Sequence, residues 1–208
     1  MLALFALAAA PAHARLARMP ALAINDHPLP YVTQLESRAA SSIDLVVIHC
    51  TELPDLATAR RYGEQAIYAS GTGNSGHYYI DYDGSVHRYV AAERIAHHTR
   101  GYNPRSIGIE LSNRGRWPDW LDSRQQQMDE PYTAAQIDAL LLLLQQLRHD
   151  YPSLRWIAGH EELDTTEVPA SDNASLKVRR KRDPGPLFPW QRLRDSGLQR
   201  LQPAAVAP

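Results

Sequence analysis

The sequence predicts a single α/β (α+β) domain in which helices flank a central mixed β-sheet, and three stretches carry that prediction. Ile43-Asp44-Leu45-Val46-Val47-Ile48-His49-Cys50 is β-branched and largely apolar, the pattern of a strand buried on both faces. Tyr82-Asp83-Gly84-Ser85 lies between two strand-like runs, 77–81 and 86–90, and its Asp-Gly pair supplies the positive φ angles of a tight hairpin turn. Thr133-x-x-Gln136 forms a capping box ahead of Ile137, Leu140, Leu141, Leu144 and Leu147, which recur at spacings of three and four. That helix turns its apolar stripe to the sheet and Gln145, Gln146 and Arg148 to water.

The elements follow along the chain. Residues 1–14 combine the apolar run Met1-Leu2-Ala3-Leu4-Phe5-Ala6-Leu7-Ala8-Ala9-Ala10 with Ala12-His13-Ala14, a small-x-small cleavage pattern, and are expected to be an export signal that leaves Arg15 as the mature start. The run is shorter than the roughly 20 residues that span a bilayer, so no transmembrane anchor is expected there. Residues 15–42 carry Pro, Ala and Ser without periodicity and are expected to be a tether or an irregular surface wrap. The domain is placed at 43–190. Within it, Asp55 caps a helix over 55–62, and further strands are expected at 107–111 and 155–158. A tail occupies 191–208.

Composition narrows the function. With 208 residues there is enough chain for one core but little for two. The balance of 22 Lys+Arg against 23 Asp+Glu gives no global positive field, which argues against nucleic acid as the main partner. A single cysteine excludes an internal disulfide. Nine histidines remain to be explained, since imidazole is both a metal ligand and a proton carrier near neutral pH.

Three familiar motifs fail on context. Gly71-Thr72-Gly73-Asn74-Ser75-Gly76 has dinucleotide-binding spacing but lies between a helix and a strand, the reverse of what that fingerprint requires. His160-Glu161-Glu162-Leu163-Asp164 opens like a zinc-protease helix, but Asp164 stands where the second histidine belongs. Cys50 points to the opposite strand face from His49 and is expected to pack as a small apolar residue.

Strand alternation puts Leu45, Val47 and His49 on one face, with His49 at the strand end. In Ile107-Gly108-Ile109-Glu110-Leu111 it separates Gly108 and Glu110 from the three apolar side chains, so that the carboxylate projects beside a glycine with room for a ligand. His160 follows a third strand. Singly, each has a structural explanation.

Taken with Lys181-Arg182-Asp183-Pro184-Gly185-Pro186 they resemble a known family. The pieces Val47-Ile48-His49-Cys50-Thr51, Gly76-His77-Tyr78-Tyr79-Ile80, Ala96-His97-His98, Ser106-Ile107-Gly108-Ile109-Glu110-Leu111, Gly159-His160 and Lys181-x-Asp183-Pro184-Gly185-Pro186 occur in the order found in the zinc-dependent N-acetylmuramoyl-L-alanine amidases of the type 2 amidase family, over about 43–190. That family is related in fold to phage-lysozyme amidases and peptidoglycan recognition proteins.

The resemblance implies one Zn²⁺ held by His49, His160 and Asp183, with Glu110 as proton acceptor and Lys181 assisting the transition state. Asp164 and Asp172, in the long segment 161–180, are rival third ligands, and the Lys-x-Asp-Pro-Gly-Pro context favours Asp183. His98 matches a substrate-groove histidine, although His97 replaces the Trp that precedes it in the family motif. Arg100 and Arg105, near His98, are candidate substrate contacts because Arg pairs carboxylates bidentately, the alternative being ordinary surface arginines. The implied activity is cleavage of the amide between N-acetylmuramic acid and L-alanine in peptidoglycan or muropeptides, by an exported, periplasmic monomer. The alternatives are a non-catalytic peptidoglycan-binding module and a cytoplasmic amidase that recycles anhydro-muropeptides.

Overall fold

The computed structural model describes residues 22–201; the expected export signal lies outside them. A seven-stranded sheet runs in the order β1 (Ile24–Asp26), β4 (Val86–Arg88), β3 (Tyr78–Ile80), β5 (Ser106–Leu111), β2 (Leu45–Cys50), β6 (Trp156–Gly159), β9 (Gln199–Arg200). All neighbours are parallel except β3 and β4, so the expected mixed sheet is present. The β3–β4 turn takes its positive φ from Gly84 alone, and the Asp83 carboxylate accepts the Ser85 N–H at 2.8 Å.

Helix α1 (Leu56–Gly63) starts where Asp55 accepts the Thr58 N–H. Helix α2 (Ala134–Asp150) carries the full capping box between Thr133 and Gln136. Its buried stripe is Ile137, Leu140, Leu143, Leu144 and Leu147; Leu143 takes the full burial expected of Leu141, which is only half-buried. These side chains meet Val46, Ile48, Ile107, Ile109 and Leu111 in the main core. Burying each such side chain contributes about 1.5–3 kcal/mol, so this layer dominates stability. Cys50 is buried as expected, and burial pushes its thiol well above the usual range.

Both ends of the described chain are more structured than expected. Of the two expectations for this segment, residues 22–42 form the irregular wrap and not the tether: β1 extends the sheet edge, while Leu29, Tyr31 and Leu35 are buried in a second apolar cluster with Tyr79 and Tyr89. At the other end, 3-10 turns over Trp190–Ser196 lead into β9, which closes the opposite edge. The segment after His160 contains a four-residue helix, α3 (His160–Leu163), and an antiparallel hairpin of β7 (Glu167–Pro169) and β8 (Lys177–Arg179), neither of which periodicity revealed. The glycine-rich stretch 71–76 is a loop, as expected.

Candidate metal centre

The central strands deliver the site. In register, His49 of β2 lies opposite Glu110 of β5, and Ile48 lies opposite Gly159, which immediately precedes His160. Pleating sends Val46 and Ile48 into the main core and His49 to the other face, as alternation requires. Asp183 arrives on the Asp-Pro-Gly-Pro turn. That turn is fixed by the Tyr132 hydroxyl, which donates to Pro184 O at 2.7 Å, and by the Glu161 N–H, which donates to Asp183 O at 2.9 Å.

These contacts bring three side chains to a point. His49 Nδ1 lies 2.8 Å and His160 Nδ1 3.0 Å from the same oxygen, Asp183 Oδ2, and all three residues are buried. Burial, then the neighbouring His160, lowers the His49 pKa to about 4, which keeps that imidazole neutral with a lone pair to offer. Burial opposes the charge on Asp183, but His160 and His49 outweigh it and hold the carboxyl well below its usual range. Asp183 Oδ1 is buried with no partner, a costly arrangement unless a cation shares the carboxylate. Two imidazoles and a carboxylate whose ligand atoms lie within 4.8 Å of one another fit one zinc ion. Asp164 and Asp172 are otherwise engaged: Asp164 pairs with Arg180, and Asp172 accepts from Ser123.

Around the triad lies a groove of about 830 Å³. Glu110 reaches into it with its side chain 14% exposed and Oε1 3.9 Å from His49 Nδ1. Burial, then the charge of Asp183, raises the Glu110 pKa well above that of an ordinary carboxyl. Lys181 and Arg100 also line the groove. Arg105 does not: its Nε donates to Asp44 Oδ1 at 2.6 Å in a two-pronged pair at the start of β2 and β5, which removes it from the expected substrate contacts.

His98 supports as well as lines the site. Its Nδ1 is 3.0 Å from His49 Nε2 and 2.9 Å from Thr99 Oγ1. With His49 Nδ1 turned to the triad, Nε2 carries the proton and donates toward His98 Nδ1, the usual way in which a second ring nitrogen fixes the orientation of a ligand imidazole. The space expected beside Gly108 belongs to this ring: a Cβ on Gly108 would stand 2.6 Å from His98 Cγ. His97 packs edge-on against Tyr68 with ring centroids 5.2 Å apart.

Two residues that shape the groove gave no signal in the sequence. Arg116, buried at 2% exposure, donates from Nε and Nη2 to the two oxygens of Glu52. Its Nη1 also donates to the carbonyls of Trp120 and Arg179 at 2.9 Å. It thus joins the turn after β2 to the strand that leads into Lys181 and Asp183. An isolated Arg in a polar loop looks like a surface residue, and only the fold discloses its burial.

The comparisons with known proteins agree with this geometry. Escherichia coli (strain K12) N-acetylmuramoyl-L-alanine amidase AmiD is 38% identical over 96 residues, 46% of this chain and 29% of that protein, so this chain aligns with less than a third of that relative. A solved complex of E. coli AmiD with its substrate anhydro-N-acetylmuramic acid-L-Ala-D-gamma-Glu-L-Lys superposes with a TM-score of 0.57 at 26% identity, covering 76% of this chain and 58% of that one. The amidase LysC from Clostridium intestinale superposes with a TM-score of 0.60 at 19% identity, covering 85% and 99%, which shows a shared fold. The family model described as N-acetylmuramoyl-L-alanine amidase matches residues 39–186. That span contains β2 to β8, the groove and every member of the triad, and the chain belongs to the N-acetylmuramoyl-L-alanine amidase family.

Proposed function

We propose that this protein hydrolyses the amide between N-acetylmuramic acid and L-alanine in peptidoglycan or its fragments. The observation that carries the proposal is the convergence of His49 and His160 on Asp183 Oδ2, with Glu110 beside them in an open groove. The AmiD complex, whose ligand contains that linkage, supports the choice of substrate.

Zinc held by His49, His160 and Asp183 would supply Lewis-acid polarisation of the lactyl carbonyl and make water easier to deprotonate. Glu110 takes a proton from the attacking water as its oxygen bonds to the carbonyl carbon, then gives that proton to the L-alanine nitrogen as the C–N bond breaks. Its raised pKa suits this exchange, because a carboxyl of ordinary acidity returns a proton poorly near neutral pH. Lys181 stabilises the negative charge that develops on the carbonyl oxygen. Arg100 holds a carboxylate of the stem peptide. The apolar run and Ala12-His13-Ala14 support export to the periplasm, which N-terminal sequencing of the mature protein tests by asking whether the chain starts at Arg15.

Purified sacculi and soluble anhydro-muropeptides, digested with and without chelator, test the activity. Mass spectrometry is expected to find free stem peptides with an L-alanine amino terminus only where zinc remains. Products cut within the peptide or the glycan would overturn the proposal.

A further inference from the structure

The groove has a wall of aromatic rings that the chemistry at the triad does not use. Tyr62, in the last turn of α1, lies 6.4 Å from Trp120 and 6.5 Å from Trp117, and the two indoles are 5.4 Å apart, all edge to face. Trp120 Nε1–H donates to Glu52 O at 2.9 Å, which pins the indole and satisfies its polar atom. Tyr62 and Trp120 line the same groove as the triad, and Tyr62 stays 45% exposed although it is large and apolar.

Charge tells the two ends of the groove apart. Beside the aromatic wall, Glu52 and Arg116 neutralise each other, the neighbouring Arg180 is paired with Asp164, and Leu53, Ala59 and Leu121 add apolar lining. This cluster lies past the C-terminal ends of β2 and β5, since Glu52 follows His49 by three residues. The loop holding Arg100 packs toward the opposite ends of these strands, because His98 covers Gly108, Thr99 N–H and His98 N–H donate to Asn103 Oδ1, and Ser106 Oγ donates to Tyr102 O. Among the described residues no carboxylate pairs with Arg100. The cationic end suits an acidic peptide; the uncharged aromatic end suits a neutral ring with apolar C–H faces.

We infer that Tyr62 and Trp120, backed by Trp117, bind a pyranose ring of the glycan strand, so that the sugar lies toward the aromatic wall and the stem peptide toward Arg100. The inference rests on the proposed reaction for the identity of the ligand, but an oligomer of N-acetylglucosamine, which has no scissile lactyl amide, tests it separately.

The experiment is a tryptophan-fluorescence titration of the zinc-loaded protein with N-acetylglucosamine tetramer. Wild-type protein is expected to give a saturable change, weakened about tenfold in Tyr62→Ala, the scale of one lost aromatic contact. Tyr62→Leu keeps apolar bulk for folding and is expected to lose affinity similarly, while Arg100→Ala keeps the wild-type affinity. No saturable change in the wild type, or unchanged affinity in both Tyr62 variants, overturns the inference. So does a response to the free peptide L-Ala-D-Glu-L-Lys that Tyr62→Ala weakens, which would give the wall to the peptide arm. Tetramer binding in a protein that cleaves no muropeptide would remove the proposed reaction and leave the sugar platform in place.

Discussion

Arg116 grips both carboxylate oxygens of Glu52, at 2.7 Å from Nε and 2.8 Å from Nη2, inside a protein whose other arginines mostly reach solvent. Glu52 is also the described non-glycine residue with positive φ, at 48°, so the pair clamps a strained turn directly behind the strand that carries His49. Removing one member of a buried pair leaves the other charged and unpaired, which costs about 3–5 kcal/mol. Arg116→Met is therefore expected to lose that much in urea unfolding. The double variant with Glu52→Gln should recover part of the loss, since no charge is stranded, but not all, because the carbonyls of Trp120 and Arg179 still lack their donor. Equal stability of wild type and Arg116→Met would contradict the clamp.

His77 makes the folded state sensitive to acid. It is fully buried, its Nδ1 accepts the Gly108 N–H at 3.0 Å, and its Nε2–H donates to Arg94 O at 3.0 Å. A second ring proton would face the Gly108 N–H, and burial, then the charge of Arg38, lowers the His77 pKa to about 3 from 6.5. The unfolded chain thus binds this proton first. The stability His77 contributes is complete above the unfolded value of 6.5 and is lost as pH falls toward 3, by about 2 kcal/mol between pH 7 and pH 5. Urea unfolding of zinc-free protein at those two pH values, compared with His77→Gln, checks this. The variant should show the smaller pH dependence, and an identical pH dependence would exclude His77 as its source.

Gly108 sets the position of His98. A methyl group there would meet the His98 ring at 2.6–2.9 Å, so Gly108→Ala must push the imidazole off His49 Nε2. Losing the outer partner of a metal-bound histidine costs about 10–100-fold in metal affinity. Competition with a fluorescent chelator should report a loss in that range for Gly108→Ala, with the far-ultraviolet spectrum unchanged. Undiminished affinity would mean that His98 does not orient His49.

Lys181 is expected to act on rate and not on metal. Lys181→Met should keep its zinc and lower kcat by about 100-fold, the scale of one lost donor to a developing oxyanion. A rise in KM with kcat unchanged would assign Lys181 to substrate binding instead.

Strand alternation in 43–50 and 107–111 was enough to orient His49 and Glu110, because a pleat of period two leaves one choice once the apolar face is known. The capping box fixed the start of α2 for a similarly local reason. What stayed hidden depends on distant partners. Strand β1 is three residues long and exists only because β4 offers it a free edge, and β9 has the same relation to β6. The burial of Arg116 and the clustering of Tyr62 with Trp117 and Trp120 arise where 52–62 meets 116–126, a contact without sequence periodicity. His98 was legible as a member of the site, but its place against His49 depended on which side chain filled the space over Gly108.

Zinc content and turnover, measured together in two variants, separate the residues that hold the metal, His49, His160 and Asp183, from the one that moves the proton, Glu110. Glu110→Gln is expected to retain zinc at the wild-type ratio and to lose about a thousandfold in turnover of a muropeptide substrate. His160→Ala is expected to lose both. A Glu110→Gln enzyme that turns over at the wild-type rate, or a His160→Ala protein that keeps its zinc and its activity, would contradict the account.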